Sequence, residues 1–175
     1  MSTTPTNTNL LFPNRYVLSF DRLAGMQFFC QSITLPGLNI GTAIQPTPFI
    51  DLTRAGDKLT YDTLTVSFLV DEDLKSWKEI HDWIRGMAFP TKFEEYQNLK
   101  TLSRKSNPVH PQYSDAQLVL LGSNQQGIFR FHFFDLFPTS LGAITLASTS
   151  GPLDNVLVAD GTFAFSYFDI IKIKK

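Results

Sequence analysis

The segment Asp62–Val70, DTLTVSFLV, alternates with period two: Leu64, Val66, Phe68 and Val70 fall on one side, Thr63, Thr65 and Ser67 on the other. Such alternation fits a pleated strand with one face in a dry core and one face wet, whereas a helix would scatter the same apolar residues around its axis. The pattern returns in Gly127–Phe137, where Phe129, Phe131 and Phe133 alternate with Arg130 and His132. It returns again between about Asn155 and Ile173, where Phe163, Phe165 and Tyr167 alternate with Ala164 and Ser166. Asn14–Phe20, Phe28–Leu35 and Ala116–Leu121 are shorter runs of the same kind. The Gly-containing link Asp21–Gly25 predicts a hairpin between the first two, and Pro36-Gly37 ends the second. The chain therefore reads as mainly β: an antiparallel β-sandwich or barrel of about six or seven strands with one packed α-helix and long loop arms.

The helix is predicted over Glu72–Met87. Leu74, Trp77, Ile80, Ile84 and Met87 make one apolar stripe, widened by Trp83. Asp71, Glu72 and Asp73 stand where carboxylates satisfy free amides, and Gly86 and Pro90 mark the end. A single domain over residues 1–175 is expected, with three irregular parts. Residues 1–13 read as a flexible polar arm, 39–60 as an extended loop or hairpin arm, and 88–114 as an irregular insertion that could hold a short helix near 93–102.

Charge and cysteine content narrow the function. With 15 basic and 16 acidic residues among 175, the net charge is -1, which disfavours a general nucleic-acid binder. The lone cysteine, Cys30, cannot build an intrachain disulfide framework or a Cys-based zinc site. No apolar run is long enough for a membrane-spanning segment, and the polar N-terminus lacks the order of a secretory signal. Charged residues are only 18 %, while 16 Phe raise the aromatic share to 13 %, so a Phe-rich core or an apolar face for other subunits is implied.

No motif carries catalysis. His81, His110 and His132 have no neighbour at metal-ligand spacing, so no metal is expected. Asp71-Glu72-Asp73 runs straight into the predicted helix, which favours capping over a cation loop. Cys30 sits in an apolar strand with no charge beside it to make a thiolate. There is no G-x-S-x-G elbow, and Gly56-Asp57-Lys58 is too short for a phosphate loop. Lys100, Arg104 and Lys105, and Lys172, Lys174 and Lys175, read as solvated basic clusters, and Trp77 and Trp83 as packing residues. No cofactor and no enzymatic activity are expected.

Four segments, taken in order, resemble the tail tube proteins of T-even-like contractile-tailed bacteriophages. They are Phe28–Gly37 (FFCQSITLPG), Gly56–Glu72 (GDKLTYDTLTVSFLVDE) leading into the helix with Trp83, Leu136–Gly142 (LFPTSLG), and the closing strand Phe163–Tyr167 (FAFSY). Phe165 stands where that family has Val, and 88–114 shows little match. The resemblance implies a structural virion protein whose homo-hexamer rings stack into a tail tube, the inner wall a continuous β-barrel that conducts DNA during ejection. The same fold is shared with type VI secretion tube proteins. The implied partners are the tail sheath protein, the tape measure protein, and the baseplate and tube terminator proteins, with phage DNA passing through the lumen. The implied location is the virion, after assembly in the host cytoplasm. By resemblance and by length, Phe49, Ile50, Asp51, Leu52, Gly56, Asp57 and Lys58 are candidate inter-subunit or inter-ring contacts. Trp77, Trp83, Pro138 and Gly142 are structural motif positions. The Thr63, Thr65 and Ser67 face is one candidate wet surface, facing either lumen or sheath. The alternatives are a baseplate tube-initiator protein of the same fold or, in a different class, a small β-fold binding module or hydrolase.

Overall fold

The computed structural model describes residues 10–23, 25–88, 91–102, 110–146 and 156–173. Arg104, Lys105, Lys174, Lys175 and most of the N-terminal arm lie outside the described residues. Among the described residues, nine strands and three helices follow in the order β1 (Tyr16–Phe20), α1 (Met26–Phe29), β2 (Cys30–Thr34), β3 (Leu38–Pro46), β4 (Asp51–Tyr61), β5 (Leu64–Leu69), α2 (Lys75–Ala88), α3 (Glu94–Leu102), β6 (Ser114–Leu121), β7 (Gly127–Leu141), β8 (Val158–Ala164) and β9 (Tyr167–Lys172). All pairings are antiparallel, and the arrangement is sandwich-like, not a closed barrel.

The sandwich is organised by one long strand. The first part of β7 pairs with β6 and β9, giving a sheet β1-β6-β7-β9 that we call sheet A. Its last part pairs with β8, giving sheet B, β7-β8-β5-β2. The strand turns from one sheet to the other at Asp135, whose φ of 52° is a left-handed conformation. The Asp115 carboxylate accepts the Asp135 amide at 3.2 Å and holds that bend. β8 and β9 follow the same bend on one side of β7, so the expected single last strand is in fact two, divided at Phe165-Ser166.

The core lies between the sheets. Leu18, Phe20, Leu118 and Phe133 from sheet A meet Leu64, Val66, Phe68 and Phe163 from sheet B, all buried. Phe20 and Phe163 touch across the gap with ring centroids 5.2 Å apart. The expected hairpin between Asn14–Phe20 and Phe28–Leu35 is not formed. β1 pairs with β6 and β2 with β5, because the single turn α1, anchored by buried Leu23 and Met26, carries the chain across to the other sheet.

Helix α2 begins at Lys75, three residues later than the stripe predicts. Leu74 adopts φ 53° and is exposed, so it leaves the buried face. The Asp71 carboxylate accepts the Lys75 and Ser76 amides at 3.2 and 3.3 Å, which caps the helix. The fully buried stripe is Ser76, Ile80, Trp83 and Gly86, with Trp77, Ile84 and Met87 beside it. At Gly86 a Cβ would come within 2.9 Å of the Leu99 Cβ, so glycine is what lets α3 pack this closely. Arg85 and Thr91 both hold the Glu95 carboxylate at 2.6 Å, and this keeps its carboxyl below the usual range, the Thr91 hydroxyl contributing most.

Candidate assembly interface

Residues 38–61 form a hairpin, β3 and β4, that belongs to neither sheet. Nearly every residue along it is exposed. Its turn is Thr47-Pro48-Phe49-Ile50. The Thr47 amide donates to the Ile50 carbonyl at 3.2 Å, and the Thr47 hydroxyl also bonds that carbonyl. Phe49 stands at the tip with 95 % of its surface in water. Asp51 and Leu52 open β4 directly behind it, paired with Pro46 and Gln45.

Gly56, Asp57 and Lys58 form a bulge. Ile40 pairs with Leu59 and Thr42 with Ala55, so three residues of β4 stand opposite Gly41 alone. A Cβ on Gly56 would collide with the Gly41 backbone, 2.8 Å from its carbonyl carbon and closer still to its oxygen. The Gly-Asp-Lys motif is thus a backbone crossing in the arm, with the Asp57 and Lys58 side chains in water.

The pairing gives the hairpin two unlike faces. Leu38, Ile40, Ile44 and Leu59 lie on one, and Ile44 keeps 67 % and Ile40 59 % of its surface exposed. Asn39, Gln45, Arg54 and Thr60 lie on the other, where Arg54 donates to Gln45 at 2.6 Å. At its base the arm is tied to the sandwich by Tyr61, whose ring meets Phe165 and Phe168 at 5.6 and 5.5 Å. The four apolar residues were missed because Thr42 breaks the row Leu38, Ile40 and Ile44, and Leu59 joins it only through the pairing across the bulge.

The other four motif residues sit on the sandwich, away from the tip. The Trp77 indole N–H donates to the Gly142 carbonyl at 3.3 Å, joining α2 to the end of β7. The Gly142 amide donates to the Asp160 carbonyl at 2.6 Å, an approach that a side chain at 142 would obstruct. Pro138 is buried and pairs with Phe163. The Trp83 indole donates to the Gln112 carbonyl at 2.9 Å, and the Arg22 guanidinium lies 4.7 Å above its ring. Burial lowers the Arg22 pKa to about 10.

Sites for small-molecule chemistry are poorly furnished. A cleft of about 390 Å³ opens between β1 and β2, lined by Tyr16, Cys30, Gln27 and other uncharged residues. Burial pushes Tyr16 up to about 12 and raises Cys30 as well, which disfavours a thiolate. Among the described residues no three His, Cys, Asp or Glu side chains are grouped to hold a metal ion. No helix among them is long and apolar enough to cross a membrane.

Comparison with known proteins agrees with an assembly role. The chain is 28 % identical over 145 residues to the tail tube terminator protein of Enterobacteria phage T4, covering 81 % of this chain and 76 % of that protein. The fold matches a subunit of the anti-feeding prophage tube-terminating cap, with TM-score 0.63, 16 % identity and coverage of 99 % and 100 % of the two chains. It also matches a chain of the sheath-tube complex of an extracellular contractile injection system, with TM-score 0.60, 15 % identity and coverage of 98 % and 100 %. The phage tail tube protein family matches residues 11–170, so the chain belongs to that family of structural tail components.

Proposed function

We propose that this chain is the ring-forming subunit of a contractile-tail tube, its homo-hexamers stacking into the conduit that carries DNA. The observation that carries this reading is the free-standing hairpin. An isolated two-stranded ribbon is marginal in water, and this one exposes apolar residues on one face and at its tip. Such an arm gains its stability by lying on another copy, with Phe49, Ile50, Asp51 and Leu52 reaching the next ring and the Gly56-Asp57-Lys58 bulge shaping the arm behind them. The strand directions also suit a ring. In each sheet three antiparallel steps separate the two margins, so β9 runs opposite to β1, and the end of β7 opposite to β2. Copies set side by side in one orientation therefore meet edge to edge as antiparallel strands, which removes the open edges.

The sheath, tape measure and baseplate proteins are the further partners under this reading, and the virion is its location. The test is removal of Ala43–Leu52. The shortened protein should remain a folded monomer by circular dichroism and fail to form rings or tubes by negative-stain electron microscopy. Tubes formed without the arm would refute the proposal. A second reading, a hexameric cap that ends the tube, is favoured by the likeness to the T4 terminator. A cap forms single rings that stop elongation of a tube, whereas the tube subunit elongates.

A further inference from the structure

We infer that Tyr61 is a positioning residue: it holds the arm at one angle to the sandwich, so that the arm meets a second copy already aimed. The inference rests on the reading of the arm as an interface. Register shows how the arm leaves the body. Thr34 pairs with Thr65 in sheet B and Leu38 with Tyr61 in the arm, and the two pairs are equally spaced along both strands. The arm is therefore the β2–β5 ribbon prolonged in one register. Between the two parts the ladder lapses at Pro36, which has no amide to give. It resumes where the Asp62 amide donates to the Gly37 carbonyl at 3.1 Å. A ribbon with such a lapse is a joint, and its angle is set by whatever braces it.

Two braces are present. The Tyr61 ring meets Phe165 and Phe168 at 5.6 and 5.5 Å, and those rings rest in turn on buried Phe133 at 5.2 and 5.5 Å. The seat of Tyr61 is thus rooted in the core, where β8 gives way to β9. The second brace is Asp62. Its carboxylate lies over Gly37, where a Cβ would come within 2.6 Å of it, and accepts the Asn39 side-chain amide at 2.9 Å. This stiffens the ribbon just beyond the lapse. Farther out, the described side-chain hydrogen bonds of the arm stay within it. An arm free to swing at the joint is correctly aimed for only a fraction of the time, and its apparent affinity falls by that fraction. A ring seated on the core removes that loss before a neighbour arrives.

The experiment uses full-length Cys30→Ala protein with nitroxide labels at Thr53→Cys in the arm and Ser123→Cys in the turn before β7. Pulsed electron paramagnetic resonance reads the distance between them in dilute monomer. The parent should give one narrow distribution. Tyr61→Ala should widen it at least about twofold, and Tyr61→Phe, which keeps the ring, should preserve the parental width. In unlabelled protein, sedimentation velocity should show that Tyr61→Ala needs at least about tenfold more protein to assemble, with Tyr61→Phe within about twofold of the parent. A width unchanged by Tyr61→Ala, or a widened one with parental assembly, overturns the inference. If Tyr61→Ala fails to fold, Asp62→Ala decides the case. It should widen the distribution with an unchanged urea midpoint, and a parental width overturns the inference. Assembly that survives removal of Ala43–Leu52 overturns the interface reading instead, and the distances alone then test the brace.

Discussion

Replacing Ile40, Ile44 and Leu59 together by Thr perturbs the apolar face of the arm while placing at each position a β-branched residue that suits a strand. These three keep 59, 67 and 51 % of their surface in water in the single subunit. Burying such a side chain completely is worth about 1.5–3 kcal/mol, so about 1–2 kcal/mol remains to be gained at each when a neighbour covers it. Threonine forfeits most of that, giving a loss of about 3–5 kcal/mol per arm, or roughly 10²–10⁴ in the association constant at about 1.4 kcal/mol per decade. The folded monomer has little to lose, since exposed substitutions usually shift stability by less than about 0.5 kcal/mol. Sedimentation velocity across a concentration series reads the assembly, and urea unfolding of the dilute monomer reads the fold. Two results refute the reasoning. Unchanged assembly means the face is not an interface, and a monomer destabilised by several kcal/mol means the arm packs on its own sandwich.

Three more outcomes are expected. Gly56→Ala drives a methyl group into the Gly41 backbone, so assembly should fail while the sandwich unfolds at nearly the parental temperature, read by differential scanning calorimetry. Asp71→Ala removes the carboxylate that caps α2, and urea unfolding should show a loss of about 1 kcal/mol. Burial, followed by the charge of Cys30 and the bond to it, raises Tyr16 from 10.0 to about 12. The folded state thus keeps this proton longer than the unfolded chain, so the stability it supplies is complete below about pH 10 and is lost as pH rises through 12. Tyr16→Phe should flatten that part of the pH–stability curve, and absorbance titration at high pH should lose its last-ionising tyrosine.

Much of the sandwich was legible because a period of two has a single structural meaning when one face is dry. β5 shows it best, with Leu64, Val66 and Phe68 all buried. What stayed hidden depends on where a strand goes after it forms. The alternation through Phe163, Phe165 and Tyr167 runs on without a break, yet the chain changes sheets there, because the bend is imposed by the backbone of Asp135 on the neighbouring strand. Likewise α1 is a single turn, too short to show helical periodicity, and it separates two strands that looked like a hairpin. That residues 39–60 form a loop or hairpin arm was readable from the length of the irregular stretch. The apolar face behind it was not, since Thr42 interrupts the row Leu38, Ile40 and Ile44, and Leu59 meets it only across a bulge the sequence does not announce.

The strand shared between the sheets has a mechanical consequence. In a sandwich whose layers touch only through side chains, a force along one layer is resisted by dispersion contacts, which yield by sliding. Here β7, and the β8–β9 course beside it, run unbroken from one layer into the other. A thrust on sheet A reaches sheet B along covalent backbone, and to slide the layers the chain would have to unzip its hydrogen-bond ladder. Under the proposed tube reading, inner and outer walls built from such units resist sliding past each other.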